Sequence, residues 1–162
     1  MSWFITVVPL HTVAADPDGW AWLQSNPDTL GVPADPPPPL ALPTVRDVLA
    51  ALERAGLHGE PWYRVVDDAD GPSLPPCPRG DACDRTMDLG EVLIRGGGIE
   101  GLSLETTVDH VSFRKPGMPA GVRGALAFAE VAGPVMAMHD SSGAVIVLHP
   151  ADDPAAVEAV WP

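Results

Sequence analysis

The segment from Val135 to His149 limits the fold more than any other part of the chain. Two apolar runs, Val135 to His139 and Ala144 to His149, flank Asp140-Ser141-Ser142-Gly143, four residues with the composition of a hairpin loop. Side chains alternate between faces along a strand. Here both faces come out apolar: Val135, Ala137, Ile146 and Leu148 on one, Met136, Met138, Val145 and Val147 on the other. Such strands belong inside a sheet covered on both sides, or against a partner.

Further strands are read at 3–10, 62–66, 89–95 and 102–113, from β-branched and aromatic content and period-two alternation. The alternation in the last of these changes parity after Asp109-His110, which predicts a bulge or strand end there. Thr44 with Asp47 three residues on reads as a capping box. Val45, Val48, Leu49, Leu52 and Ala55 then recur at helical spacing, giving a helix over 44–55 that Gly56 stops. Asp16-Pro17 and Asp153-Pro154 open two short helices, and residues 120–132 form an Ala-rich, largely buried one.

This order predicts an α+β fold in a single domain, 1–162. Its mainly antiparallel sheet is covered by two main helices, 44–55 and 120–132, and a ferredoxin-like sandwich is one wiring that fits. Residues 27–43 read as a Pro-rich connector, stiffened by Pro36 to Pro39. A docking site for an SH3-like groove is the sharper and less favoured reading of that segment. Residues 67–88 form a long polar loop, the first place to look for a binding surface.

Charge narrows the partners. Nine Lys and Arg stand against 22 Asp and Glu, a net charge of −13. Phosphate-binding surfaces need cations, so neither nucleic acid nor an anionic membrane is expected. The excess is spread: residues 1–43 hold four acids and no base, and 60–91 hold eight acids against three bases. No concentrated acidic tail imitates a phosphate backbone. Eight of the nine bases are Arg, and 20 Pro and 16 Gly accompany them, a composition typical of a GC-rich bacterial genome. Without an apolar stretch of about 20 residues or a charged segment leading into the first apolar run, the expected location is the cytoplasm.

The motifs that could carry chemistry are weak in context. Gly96 to Gly101 spells G-x-G-x-x-G, but a β-alternating segment follows where a dinucleotide site needs a helix. Cys77 and Cys83 are separated by five residues, outside the two to four usual between zinc ligands. Free thiols are favoured there over a small-loop disulfide, and a disulfide over a metal site, with His58 the only histidine nearby. Asp67, Asp68 and Asp70 lack the further ligands of a calcium loop. Asp109, His110 and Ser112 would point to different faces of one strand, so the geometry of a base and its orienter is not expected. No metal or cofactor is assigned.

The expected function is contact with another protein of cationic or mixed surface, without catalysis. Bacterial immunity proteins, which neutralise a cognate toxin by occlusion, are an analogous class. Acids would steer the partner and aromatics would anchor it. The candidate contact residues are Trp20, Trp22, Trp62, Tyr63, Asp67, Asp68, Asp70, Asp81 and Asp84. Two alternatives stand beside this reading. One is a small-molecule enzyme or ligand binder with its pocket between the sheet and the long loop, Asp109 and His110 being its first acid–base candidates. The other is a structural subunit of a larger assembly.

Overall fold

The computed structural model describes residues 2–68, 74–95 and 98–161. Its elements in chain order are β1 (Phe4–Pro9), α1 (Leu10–Ala14), α2 (Pro17–Ser25), β2 (Thr29–Leu30), α3 (Val45–Arg54), β3 (His58–Pro61) and β4 (Arg64–Val65). A 3-10 turn at Gly80–Ala82 follows, then β5 (Asp88–Ile94), β6 (Gly101–Leu102), β7 (Val111–Arg114), α4 (Met118–Ala132), β8 (Val135–His139), β9 (Val145–Leu148) and α5 (Pro154–Val160).

Seven strands form one mixed, mostly antiparallel sheet in the order β2-β9-β8-β1-β7-β5-β3, and β4 pairs with β6 separately. The inner strands β8, β1, β7 and β5 are joined antiparallel. Their chain connection is β-α-β-β-α-β, with α3 and α4 in the two crossovers. Parallel edge pairs, β2 on β9 and β3 on β5, widen the sheet to seven strands. The fold is α+β, as the sequence predicts.

The hairpin pairs Val135 with Leu148 and Ala137 with Ile146, and its two faces meet two different clusters, with Met138 left exposed on the second. Val135, Ala137, Ile146 and Leu148 join the main core with Phe113 and Phe128, under α3 and α4. Val145 and Val147 pack in a second cluster with Leu10 and Leu23, backed by Trp20. The second cover is therefore α2, whose start is fixed by the Asp16 carboxylate accepting the Asp18 N–H at 3.1 Å and by Pro17 at its first position. On α3, Thr44 and Asp47 form the reciprocal capping box.

Four local expectations are corrected. Residues 102–113 are not one strand, because only Gly101–Leu102 and Val111–Arg114 are extended pairs. Between them the Thr106 hydroxyl accepts the Ser103 N–H, and the Asp67 carboxylate accepts the Leu104 N–H, so side chains outcompete a ladder. The freed carbonyls of Thr106 and Leu104 instead accept the Val45 and Arg46 N–H groups, orphan donors of the first turn of α3. The parity change at Asp109-His110, read as a bulge or strand end, falls at a strand boundary, the start of β7, though not at the end of a strand running from 102. Of 62–66, only Arg64–Val65 is strand, while His58–Pro61, unread in the sequence, forms the sheet edge. The connector is interrupted by β2, and Gly96 and Gly97 lie outside the described residues.

Candidate functional site

The β3 edge is an unusual strand: His58, Gly59, Glu60, Pro61. Its pairing with β5 shifts register between His58 and Glu60, since His58 stands opposite Asp88 and Glu60 opposite Glu91. The extra residue is on β5, where Gly90 adopts φ +67, a backbone state open to glycine at no steric cost. Gly59 is held to glycine by contact, because a Cβ there would meet the Gly90 carbonyl oxygen at 2.8 Å. Pro61 ends the strand, as tolerated only at a sheet edge or strand terminus.

Facing this edge is the second half of the long loop. Gly80, at φ +52, and the 3-10 turn fold the five residues between Cys77 and Cys83 back on themselves. The Gly80 N–H donates to the Cys77 carbonyl at 3.0 Å and the Cys83 N–H to the Gly80 carbonyl at 3.1 Å. The result is a cavity of about 580 Å³ between sheet edge and loop, lined among others by His58, Glu60, Cys77, Cys83, Asp88 and Lys115.

Three donor atoms converge in its wall. One ring nitrogen of His58 and the two sulfurs of Cys77 and Cys83 lie within 4.8 Å of one another. Cys83 Sγ is 3.6 Å from His58 Nε2. His58 is buried, and both cysteines are half-buried free thiols. The hydrogen bond with the Cys77 thiol pushes the Cys83 thiol above its ordinary range. On the other side of the imidazole, His58 Nδ1 is 3.9 Å from Asp88 Oδ1. That carboxylate is fixed by the Gly90 N–H at 2.8 Å and the Arg85 Nε at 2.9 Å.

Charged groups of both signs surround the cluster. Arg114 grips Glu91 with two bonds of 2.8 and 2.9 Å, and Arg85 is committed to Asp88. Lys115 and Glu60 have no ion-pair partner among the described residues. Arg85 and Lys115 are two of the three non-glycine residues at positive φ among those described, at 64° and 52°. Such backbone states cost about 1–3 kcal/mol each and gather at functional sites.

The contact residues expected from the sequence are not gathered in this way. Trp22 and Trp62 are exposed, at 48% and 37%, whereas Trp20 is half-buried against the second cluster and Tyr63 is buried at 5%. Trp22 belongs to α2, which packs on β9, and Trp62 follows β3. Those two strands are five positions apart in the sheet, about 24 Å at the usual strand spacing. Asp67 accepts from Ser103 Oγ and Leu104 N, which lowers its pKa through the Leu104 bond first. Asp84 accepts from the Thr86 backbone and side chain and pairs with Arg79 at 2.7 Å, and its pKa is lowered, chiefly by the Thr86 N–H. Asp81 is exposed, Asp68 is partly buried, and Asp70 lies outside the described residues.

Asp109 and His110 do meet, contrary to the expectation from strand geometry: Asp109 Oδ1 and His110 Nδ1 are 2.8 Å apart. They precede β7 and so escape strand alternation. Ser112 does not complete a triad, because it is buried and shares a 3.0 Å hydrogen bond with Thr6. The signal for the thiol–imidazole cluster was present in the cysteine pair and the nearby His58, but the five-residue spacing concealed it until the turn at Gly80 was seen.

No protein-family model matches this chain, and no match is found among curated proteins or solved structures. Among the described residues no helix is long and apolar enough to cross a membrane.

Proposed function

We propose that this chain is a small-ligand-binding protein whose site is the cavity between the β3–β5 edge and the long loop. One observation carries the reading: segments remote in sequence, around residues 58–61, 77–91 and 114–115, bring titratable side chains together around one cavity. Its volume falls in the range of about 300–1,000 Å³ common for small-molecule sites. With Arg85 and Arg114 already paired, Lys115 and Glu60 are left to meet a ligand. The ligand class this favours is small, polar and bearing both signs of charge.

The reading is tested by recording amide spectra of the labelled protein against a panel of amino acids and small carboxylates. Shifts confined to residues 58–61, 88–91 and 114–115 are expected, with a rise in melting temperature as ligand binds the native state. A panel that shifts only residues elsewhere, such as α2, would contradict it.

A second reading, an acidic domain that occludes a cationic protein partner as immunity proteins do, is supported by the net charge of −13 and the exposed rings of Trp22 and Trp62. Its test is coexpression with the product of a neighbouring gene. A stable complex lost on replacing both tryptophans by alanine supports it, and a complex indifferent to them counts against these anchors.

A further inference from the structure

We infer that His58, Cys77 and Cys83 bind a thiophilic metal ion, Zn²⁺ by the chemistry of the donors. The inference rests on the cavity being the working site and names an ion that it holds. A tetrahedral zinc with Zn–S near 2.3 Å and Zn–N near 2.0–2.1 Å sets its sulfur and nitrogen about 3.6 Å apart. Cys83 Sγ and His58 Nε2 stand at 3.6 Å. A thiol hydrogen bond alone would account for that one contact. The Cys77 thiol is hydrogen-bonded to Cys83 in turn, and the three donors together lie within 4.8 Å of one another, close enough to share one ion.

The donors come from two places in the chain, the sheet edge and a loop folded by Gly80. Two sulfurs and one imidazole suit zinc and disfavour magnesium or calcium, which prefer oxygen. Behind the ring the Asp88 carboxylate is 3.9 Å from Nδ1, within reach of its charge but short of hydrogen-bond contact, and metal binding would have to draw it closer. Such groups orient a ligating histidine and raise its basicity. Asp88 is itself held by Gly90 and Arg85, so it acts as a positioning residue. Binding replaces the two thiol protons, which pass to solvent, by two metal–sulfur bonds, with the imidazole lone pair as third ligand. Three protein ligands leave a fourth position, and since all three line the cavity that position opens on it.

The test uses the full chain, reduced and stripped of metal by a chelator. Zn²⁺ is titrated in competition with a chromophoric chelator, and Cd²⁺ is followed by its thiolate-to-metal absorption. One equivalent of either ion is expected, with the cadmium–thiolate band. His58→Ala, Cys77→Ser and Cys83→Ser should each weaken binding 100-fold or more while retaining the wild-type circular dichroism. Asp88→Asn should weaken it by about 10- to 100-fold and leave the absorption per bound cadmium unchanged, because both sulfurs still ligate. Failure of the folded, reduced protein to bind either ion would overturn the inference, as would binding indifferent to both serine variants. Amide shifts at residues 58–61 and 114–115 with small organic ligands in metal-free protein would, in that event, leave the cavity reading standing.

Discussion

At the β9–β8 end of the sheet both faces are apolar, with α4 over one and α2 over the other, and of the hairpin's apolar side chains Met138 alone is left exposed. At the β5–β3 end the edge strand is His-Gly-Glu-Pro, the cover on one side is a loop, and polar groups converge where apolar ones would pack. The two ends are parts of one sheet. The difference teaches that burial alone decides the first, whereas at the second close backbone approach, positive φ angles and fixed charges maintain an opening. Arg85 and Lys115 there adopt left-handed conformations, backbone states that cost about 1–3 kcal/mol each.

The contrast can be broken by truncation. Phe128→Ala, in the shared core and fully buried, should lower unfolding free energy by about 3–5 kcal/mol. Leu23→Ala, also fully buried, should cost about 2–5 kcal/mol. A value near zero would mean that α2 does not cover the second face of the hairpin. Urea denaturation measures both. Removing the cap with Thr44→Ala should cost about 1 kcal/mol, with no effect on metal affinity, because α3 does not contribute to the cavity wall. Cys83→Ala in metal-free protein should change stability by no more than about 0.5 kcal/mol. A larger loss would make the thiol a packing element and blur the comparison.

The smallest effect is that of acid. Asp47 accepts from the Thr44 backbone and hydroxyl, and Asp67 from Leu104 and Ser103; both carboxyls titrate below their ordinary range, the backbone bond being the first cause in each. A depressed native pKa gives stability that is full above the unfolded value, about 3.9, and is lost as pH falls through the lower native value. The urea midpoint should therefore drop below about pH 4, and Asp47→Asn should make the drop shallower.

Legibility followed the same divide. The hairpin register, the capping box of Thr44 and Asp47, and Asp16-Pro17 were all readable, because local pattern and tertiary burial agree there. His58–Pro61 was not, since glycine and proline argue against a strand and only pairing with β5 makes one. Residues 103–110 alternate in burial without forming a strand, for Leu102 and Val108 are buried while Glu105 and Asp109 are exposed. Alternation recorded which side chains turn inward but not where the backbone hydrogen bonds go. The cysteine pair was legible as a pair. Its convergence with His58 depends on the turn at Gly80 and on the β3–β5 pairing, both of them tertiary facts.

The most direct measurement is an anomalous difference map at the zinc absorption edge, from crystals of the reduced protein grown with equimolar Zn²⁺. The account predicts one strong peak about 2.0–2.3 Å from His58 Nε2, Cys77 Sγ and Cys83 Sγ. An ordered cavity with no peak at that point, or a disulfide joining Cys77 to Cys83 in its place, would contradict it.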